Sequence, residues 1–309
     1  MPQFILRRAG LAAVLLLFAS VLCFSLVIAA PGNVAVLIAE QRSGTVTKSD
    51  VEKVEKELGL KDPMPVRYAR WLGQAAQGDL GPSLRTGEDI VTAFWKRLPN
   101  TGLLLLGAGI VSLVVGGVLG FAGALLPGST LDRLLRAAAM LGISVPTFFT
   151  GALLILIFGV VLRWLPVYGY DDIKGWIMPW LTLGIFPGCV LSRLIRVSIE
   201  DLATRPFVIT ARSKGFGQLH VIAKEILPNL APILVTAFGT QFGIMIFGAI
   251  VVEPMFSIQG VGYYFIEAAK FRDFTVVQAC LLLFAAFFIV LNATVDVCAI
   301  AVNPKTRRI

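Results

Sequence analysis

Apolar runs of about 20 residues recur along the chain, each long enough to cross a hydrocarbon core of about 30 Å as a helix. The first, Ala9 to Ala30, follows a short basic leader that ends in Arg7 and Arg8. It exceeds the roughly 7–15 apolar residues of a cleavable signal, so it reads as a retained span entering from the cytoplasm. Further spans are expected at about Pro99–Leu125, Ala138–Leu162, Trp176–Leu194, Asn229–Val252 and Thr275–Ala301, making six. Within them, Gly116 and Gly120 have the spacing that lets helix backbones approach closely. Pro146, in the run Ser144–Pro146, frees a backbone carbonyl inside the third span, as a hinge or a kink.

The polar intervals are uneven. Pro31 to Leu98 is one extended external region. In it Thr47 and Asp50 have capping-box form, with Val51, Val54 and Leu58 following at helical spacing up to Gly59. Pro63 and Pro65 then break the chain before a second short helix around Tyr68, Trp71 and Leu72. Glu88 to Arg97 is amphipathic and is expected to lie on the membrane surface. In the second half, Asp201 to Pro228 is a long basic interval carrying Arg205, Arg212, Lys214 and Lys224. Glu253 to Phe274 is a second polar, glycine-punctuated excursion.

Composition settles the class. The 309 residues are 57% hydrophobic and 15% charged, with a mean hydropathy of +0.82, far from the roughly 25% charged of a soluble domain. The chain is expected to be an all-α polytopic membrane protein. With both termini inside, the segments assigned to the cytoplasm carry a clear Lys/Arg excess, whereas the external ones are balanced. That asymmetry accounts for the net charge of +8, so the basic balance reports membrane orientation and not nucleic-acid binding. Cys23, Cys189, Cys280 and Cys298 all lie in apolar stretches without metal-ligand spacing and read as small buried hydrophobes.

Several chemistries find no residues. The chain holds no G-x-x-x-x-G-K-[ST] loop and no H-E-x-x-H, and its single histidine, His220, lies in the basic interval. An intramembrane hydrolase would need a base beside a buried serine, and the spans offer no histidine. No catalytic residue and no metal site are assigned. A stand-alone ion-coupled secondary transporter remains the alternative; it would be expected to show inverted repeats and several buried acids, and only Asp296 sits deep in a span. Asp296 is either a pathway residue or the structural partner of a basic tail residue, Lys305, Arg307 or Arg308.

The order of motifs then resembles the integral-membrane permease subunits of bacterial ABC importers, more narrowly the first permease of the dipeptide/oligopeptide/nickel group. The matches run through FILRR (Phe4–Arg8), Pro31-Gly32, LGLKDPMPVRYARWL (Leu58–Leu72), GDLGPS (Gly78–Ser83), RLPNT (Arg97–Thr101) and SVPTF (Ser144–Phe148). They continue through TARSKG (Thr210–Gly215), VVEPMFS…GVG (Val251–Gly262), RDFTVVQ (Arg272–Gln278), Asn292 with Asp296, and Asn303-Pro304. The resemblance implies a type I ABC importer permease fold of six transmembrane helices: residues 1–30 as leader and first span, 31–98 as a small helical periplasmic subdomain, and 99–309 as the permease core. It implies a multi-pass protein of the bacterial inner membrane with both termini cytoplasmic.

The same resemblance places a cytoplasmic coupling loop at 198–228, a helix-turn-helix that inserts into an ATPase. Its residues are Arg205, Thr210, Ala211, Arg212, Ser213, Lys214, Gly215, Phe216, Leu227 and Pro228, with Pro228 starting the next span. The chain departs from the usual pattern at Ile209 and Glu225. Pathway or gating residues are expected among Ser144, Pro146, Glu253, Gln259, Gly260, Gly262 and Asp296. The implied partners are a second permease, two cytoplasmic ATPases that bind ATP and magnesium in place of this chain, and a periplasmic solute-binding protein. The cargo class is a di- or oligopeptide, nickel or a metal chelate.

Overall fold

The computed structural model describes residues 2–29, 35–36, 39, 47–57, 59, 61–125 and 127–302. Pro31-Gly32, Leu58, Asn303-Pro304 and the basic tail lie outside the described residues. Regular structure among those described is helical, apart from one antiparallel bridge between Pro82 and Asp89. The leader and first apolar run form one helix, α1 (Pro2–Ala29), with Leu15, Leu17 and Phe18 exposed on its surface. Among the described residues, four helices are long and apolar enough to cross a membrane: α4 (Ile90–Leu125), α7 (Ile173–Ala203), α9 (Gln218–Met255) and α11 (Phe274–Val302), the last preceded by the short helix α10 (Val261–Lys270); the apolar part of α1, Gly10–Ser25, is shorter. A bent pair, α5 (Thr130–Ser144) and α6 (Thr147–Val161), supplies another span if counted as one.

One expectation is sharpened here and another changes. The break expected at Pro146 in the third span is a sharp one, α5 and α6 meeting at an angle of 104°. Pro146 forces the residue before it out of helix, so Val145 is extended (φ −86°, ψ 124°), and Pro146 is the N-cap residue of α6. The amphipathic stretch Glu88–Arg97 is no separate surface helix. It forms the first turns of α4, which begins at Ile90 and continues through Pro99. Asp89 caps that start by accepting the Thr92 N–H at 2.8 Å, and Ile90 and Ala93 are fully buried.

The chain divides into two compact units. One comprises residues up to Pro99 together with Tyr264–Ile289. Its short helices α2 (Lys48–Glu57) and α3 (Met64–Ala76) follow the capping and proline signals, the Asp50 N–H reaching Thr47 Oγ1. Tyr68 and Trp71 of α3 pack on Phe24 of α1, and the Tyr68 hydroxyl shares a 2.8 Å hydrogen bond with Ser20. Asp273 ties two distant stretches of this unit together. Nearly fully buried, it accepts the Ser83 hydroxyl at 2.6 Å and the Leu84 and Arg85 N–H groups at 3.3 Å.

The other unit comprises Asn100–Tyr263 and the residues from Val290 onward. Its centre is the crossing of α4 and α7, built from small residues on both sides. A Cβ on Gly116 would stand 2.8 Å from the Leu191 Cβ, and one on Gly120 would stand 2.8 Å from the Ile195 Cβ. Gly188 of α7 returns the arrangement against Val115 at 2.8 Å. The glycine spacing is thus a packing device, with the backbones too close for any side chain.

Candidate functional site

Between α7 and α9 the basic interval folds into a short helix, α8 (Pro206–Ser213). Thr204 closes α7, Arg205 is extended, and Pro206 occupies the first turn of α8, where a missing N–H costs nothing. At its other end, Gly215 takes φ +82°. Its N–H bonds to Arg212 O at 2.9 Å, and the Phe216 N–H bonds to Ala211 O at 3.3 Å. That pair of bonds is the Schellman arrangement, which satisfies carbonyls a helix end leaves open. Two residues later, Gly217 starts α9, so the chain reverses within a few residues.

This turn is attached on one side only. Val208 and Ala211 are buried in a cluster with Ile195 and Ile199 of α7 and Val221, Ile226 and Leu230 of α9. The Gln218 side chain donates to Leu125 O at 3.2 Å, tying the start of α9 to the end of α4. The outward face carries Phe207, Ile209, Arg212, Lys214, Phe216 and Leu219, all exposed. Ile209, where the family pattern differs, lies on that face; Glu225 is half-buried beyond it. Phe216 stacks on His220 at 4.4 Å, and Arg205 pairs with Asp201 at 2.9 Å. A rigid, partly apolar, basic knob therefore projects from the ends of two long helices.

Pro228 does not start the next span. Helix α9 runs straight through it, wider over Val221–Ile226 with i→i+5 bonding. The wide turn accommodates a proline that donates no N–H, and the Asn229 side chain caps Glu225 O at 2.7 Å. Leu227 and Pro228 are exposed on this stretch.

Of the pathway candidates, the structure brings Glu253, Gln259, Gly260 and Gly262 together. Glu253 is fully buried near the end of α9. Its carboxylate accepts the Thr101 hydroxyl at 2.6 Å and the Tyr263 N–H at 2.8 Å, while Thr101 Oγ1 accepts the Val261 N–H at 2.8 Å. Asn100 donates to Gln259 O at 2.9 Å. A Cβ on Gly262 would come within 3.1 Å of Glu253 Oε2, so the loop's glycines are what let it close over the acid. Ser144 and Pro146 lie instead at the α5–α6 break, and Asp296 is half-buried two turns before the end of α11.

One centre escapes sequence reasoning. Asp132, first-turn residue of α5, is completely buried and forms ion pairs with both Arg136 and Arg196 of α7. It also accepts the Gly128 N–H at 3.1 Å, and Ser129 caps the helix by accepting the Asp132 N–H at 3.0 Å. Nothing in the local pattern distinguishes it from a loop acid; only Arg136, at i+4, hints at a pair.

Long apolar helices, with one short, one-sidedly anchored helix between two of them, define an all-α multi-pass membrane protein. That fold resembles a chain of the inward-facing MetNI methionine ABC transporter, with a TM-score of 0.59 at 16% identity, covering 68% of this chain and 96% of that one. Residues 112–308 match the binding-protein-dependent transport system inner membrane component family, and residues 1–104 match its N-terminal region. The chain is 36% identical over 292 residues to the glutathione transport system permease protein GsiC of Escherichia coli, covering 94% of both. It is 31% identical to a probable peptide ABC transporter permease of Sinorhizobium fredii, across 99% of this chain and 100% of that one. The chain belongs to the binding-protein-dependent transport system inner membrane components. It is a multi-pass inner-membrane permease subunit of an ABC importer, working with ATPase and solute-binding components, and not a stand-alone ion-coupled carrier or an enzyme.

Proposed function

We propose that this chain forms half of the translocation pathway for a small peptide-like solute, the other half coming from a second, related permease. Two ATPase subunits bind ATP and magnesium on the cytoplasmic side, where both termini and α8 also lie. An external binding protein delivers the cargo. The outward knob of α8, with Arg212, Ser213, Lys214, Gly215 and Phe216 at its tip, seats in an ATPase groove. Arg205, Thr210 and Ala211 hold the knob's near side, and Leu227 and Pro228 carry the motion into α9. Ser144 and Pro146, at the bent span, and the loop of Gln259, Gly260 and Gly262 closed over Glu253 are the elements that reshape the pathway; Asp296 belongs to the same spans.

The observation that carries this reading is the one-sided burial of α8. Val208 and Ala211 lock it to α7 and α9, while its apolar and basic outer face is exposed among the described residues. A force on that face moves two long helices together. The peptide-like cargo follows from the relatives, a glutathione permease and a probable peptide permease.

The test reverses charge at Arg212 and Lys214 in the assembled transporter. ATP-driven uptake of a short peptide should be lost, with the ATPase no longer co-purifying or no longer stimulated by cargo. Normal uptake with normal co-purification would overturn the coupling role.

A further inference from the structure

A cavity of about 480 Å³ opens between α4, α5 and α7, in the size range of about 300–1,000 Å³ typical of small-molecule sites. Two facing helix stripes line it with the same register. Helix α5 contributes Arg136, Met140, Ile143 and Ser144; helix α7 contributes Arg193, Arg196, Val197 and Glu200. The walls are largely apolar, and Arg136, Arg193, Arg196 and Glu200 are the charged groups among them.

Asp132 sets the charges from behind. It pairs with Arg136 and Arg196 but does not itself face the cavity, so one carboxylate serves two guanidinium groups. Arg193, one turn before Arg196 on α7, adds a further positive charge to the lining. Glu200 provides a negative one. Arg193 and Glu200 are seven residues apart on one helix, a rise of about 10 Å. An extended chain of three residues spans about 10 Å.

From this match we infer that the cavity is a binding station for a zwitterionic tripeptide-sized solute. Its carboxylate lies against Arg193 beside Ser144, its ammonium against Glu200, and its side chains against Leu119, Met140 and Val197. The bidentate fork of arginine suits a carboxylate, and apolar walls place no demand on side-chain identity. Glu200 in the lining repels a phosphate placed beside it. The inference deepens the peptide reading of the cargo and rests on it.

The test uses the full-length chain in phosphatidylcholine nanodiscs, with Ser144→Cys on a Cys298→Ser background, reading the rate of maleimide modification at position 144. Millimolar trialanine should slow modification, and N-acetyl-trialanine amide should not. Adding Arg193→Gln should weaken protection by both trialanine and N-acetyl-trialanine about tenfold, the scale of one charge-assisted hydrogen bond. Glu200→Gln should weaken protection by trialanine alone, leaving that by N-acetyl-trialanine unchanged.

The site is overturned by an absence of protection, by equal protection from the doubly blocked peptide, or by protection that neither variant alters. Slowed modification in phosphatidylglycerol nanodiscs without peptide overturns it in favour of a lipid. Uptake by the assembled transporter that survives Arg193→Gln and Glu200→Gln refutes this station while leaving α8 coupling intact. Loss of ATPase association on changing α8 bears only on coupling, so the two failures are separable.

Discussion

Gly215 and Gly217 offer a controlled comparison at the tip of the knob. Both are exposed, and a Cβ added at either meets nothing within 4 Å. They differ in backbone: Gly215 has φ +82°, whereas Gly217 has φ −67° and ψ 159°. Gly215→Ala therefore carries no steric clash with neighbours, only the cost of holding an L-residue left-handed, about 1–2 kcal/mol. That raises local opening about five- to thirtyfold, read as faster amide exchange at Gly215 and Phe216, whose N–H groups close the turn. Gly215→Asn should cost less, because Asn tolerates that region. Gly217→Ser suits an extended helix-capping position and should leave exchange unchanged. ATP-driven uptake should fall for Gly215→Ala and hold for Gly217→Ser. Equal effects from the two substitutions, on exchange and on uptake, would refute the claim that a left-handed turn positions the knob.

Three further outcomes follow from the buried contacts. Thr101→Val removes both the donor to Glu253 and the acceptor for the Val261 N–H; the destabilisation should be about 1–3 kcal/mol by thermal unfolding in detergent, and Thr101→Ser should restore it. Gly116→Ala and Gly120→Ala should each cost about 1–3 kcal/mol by overpacking the α4–α7 crossing, while Gly117→Ala, with open space around it, should be neutral in the same melt. The Thr92 hydroxyl and N–H hold the Asp89 carboxyl below the usual aspartate range. Because the folded value is depressed, that cap is intact above about pH 4 and is lost as pH falls through the folded value, so acid should lower the protection of the Thr92 amide relative to its intrinsic exchange rate at each pH, and Asp89→Asn should remove that pH-dependent loss of protection.

Burial in a membrane is a strong local signal, and what it governs was legible. Hydropathy alone placed the helices now seen as α1, α4, α7, α9 and α11, because each apolar run must satisfy its own backbone hydrogen bonds. Gly215 was equally legible, since helix ends depend on residues within a turn. Where two local signals competed, pattern reading went astray. Pro228 looked like a helix start, yet i→i+5 bonding over Val221–Ile226 carries the helix past it. The amphipathic turns after Glu88 looked like a surface helix, yet the Asp89 cap feeds directly into the span.

The candidate site depended on contacts that no local pattern encodes. Thr101 and Glu253 are 152 positions apart, and Ser83 and Asp273 are 190 apart, yet each pair forms a 2.6 Å hydrogen bond. In sequence, RLPNT, GDLGPS, VVEPMFS…GVG and RDFTVVQ are four separate motifs. In the structure they are two reciprocal locks: RLPNT supplies Asn100 and Thr101 to the loop over Glu253, and GDLGPS supplies Ser83 to Asp273. Each lock buries a carboxylate whose partners come mostly from backbone N–H and hydroxyl groups, so removing either half would leave a buried carboxylate short of donors. That mutual dependence explains why the motifs occur as short polar words in an apolar chain. Asp132 obeys the same rule with two arginines in place of hydroxyls, and the cavity that Arg136 and Arg196 face is a consequence of how it holds them.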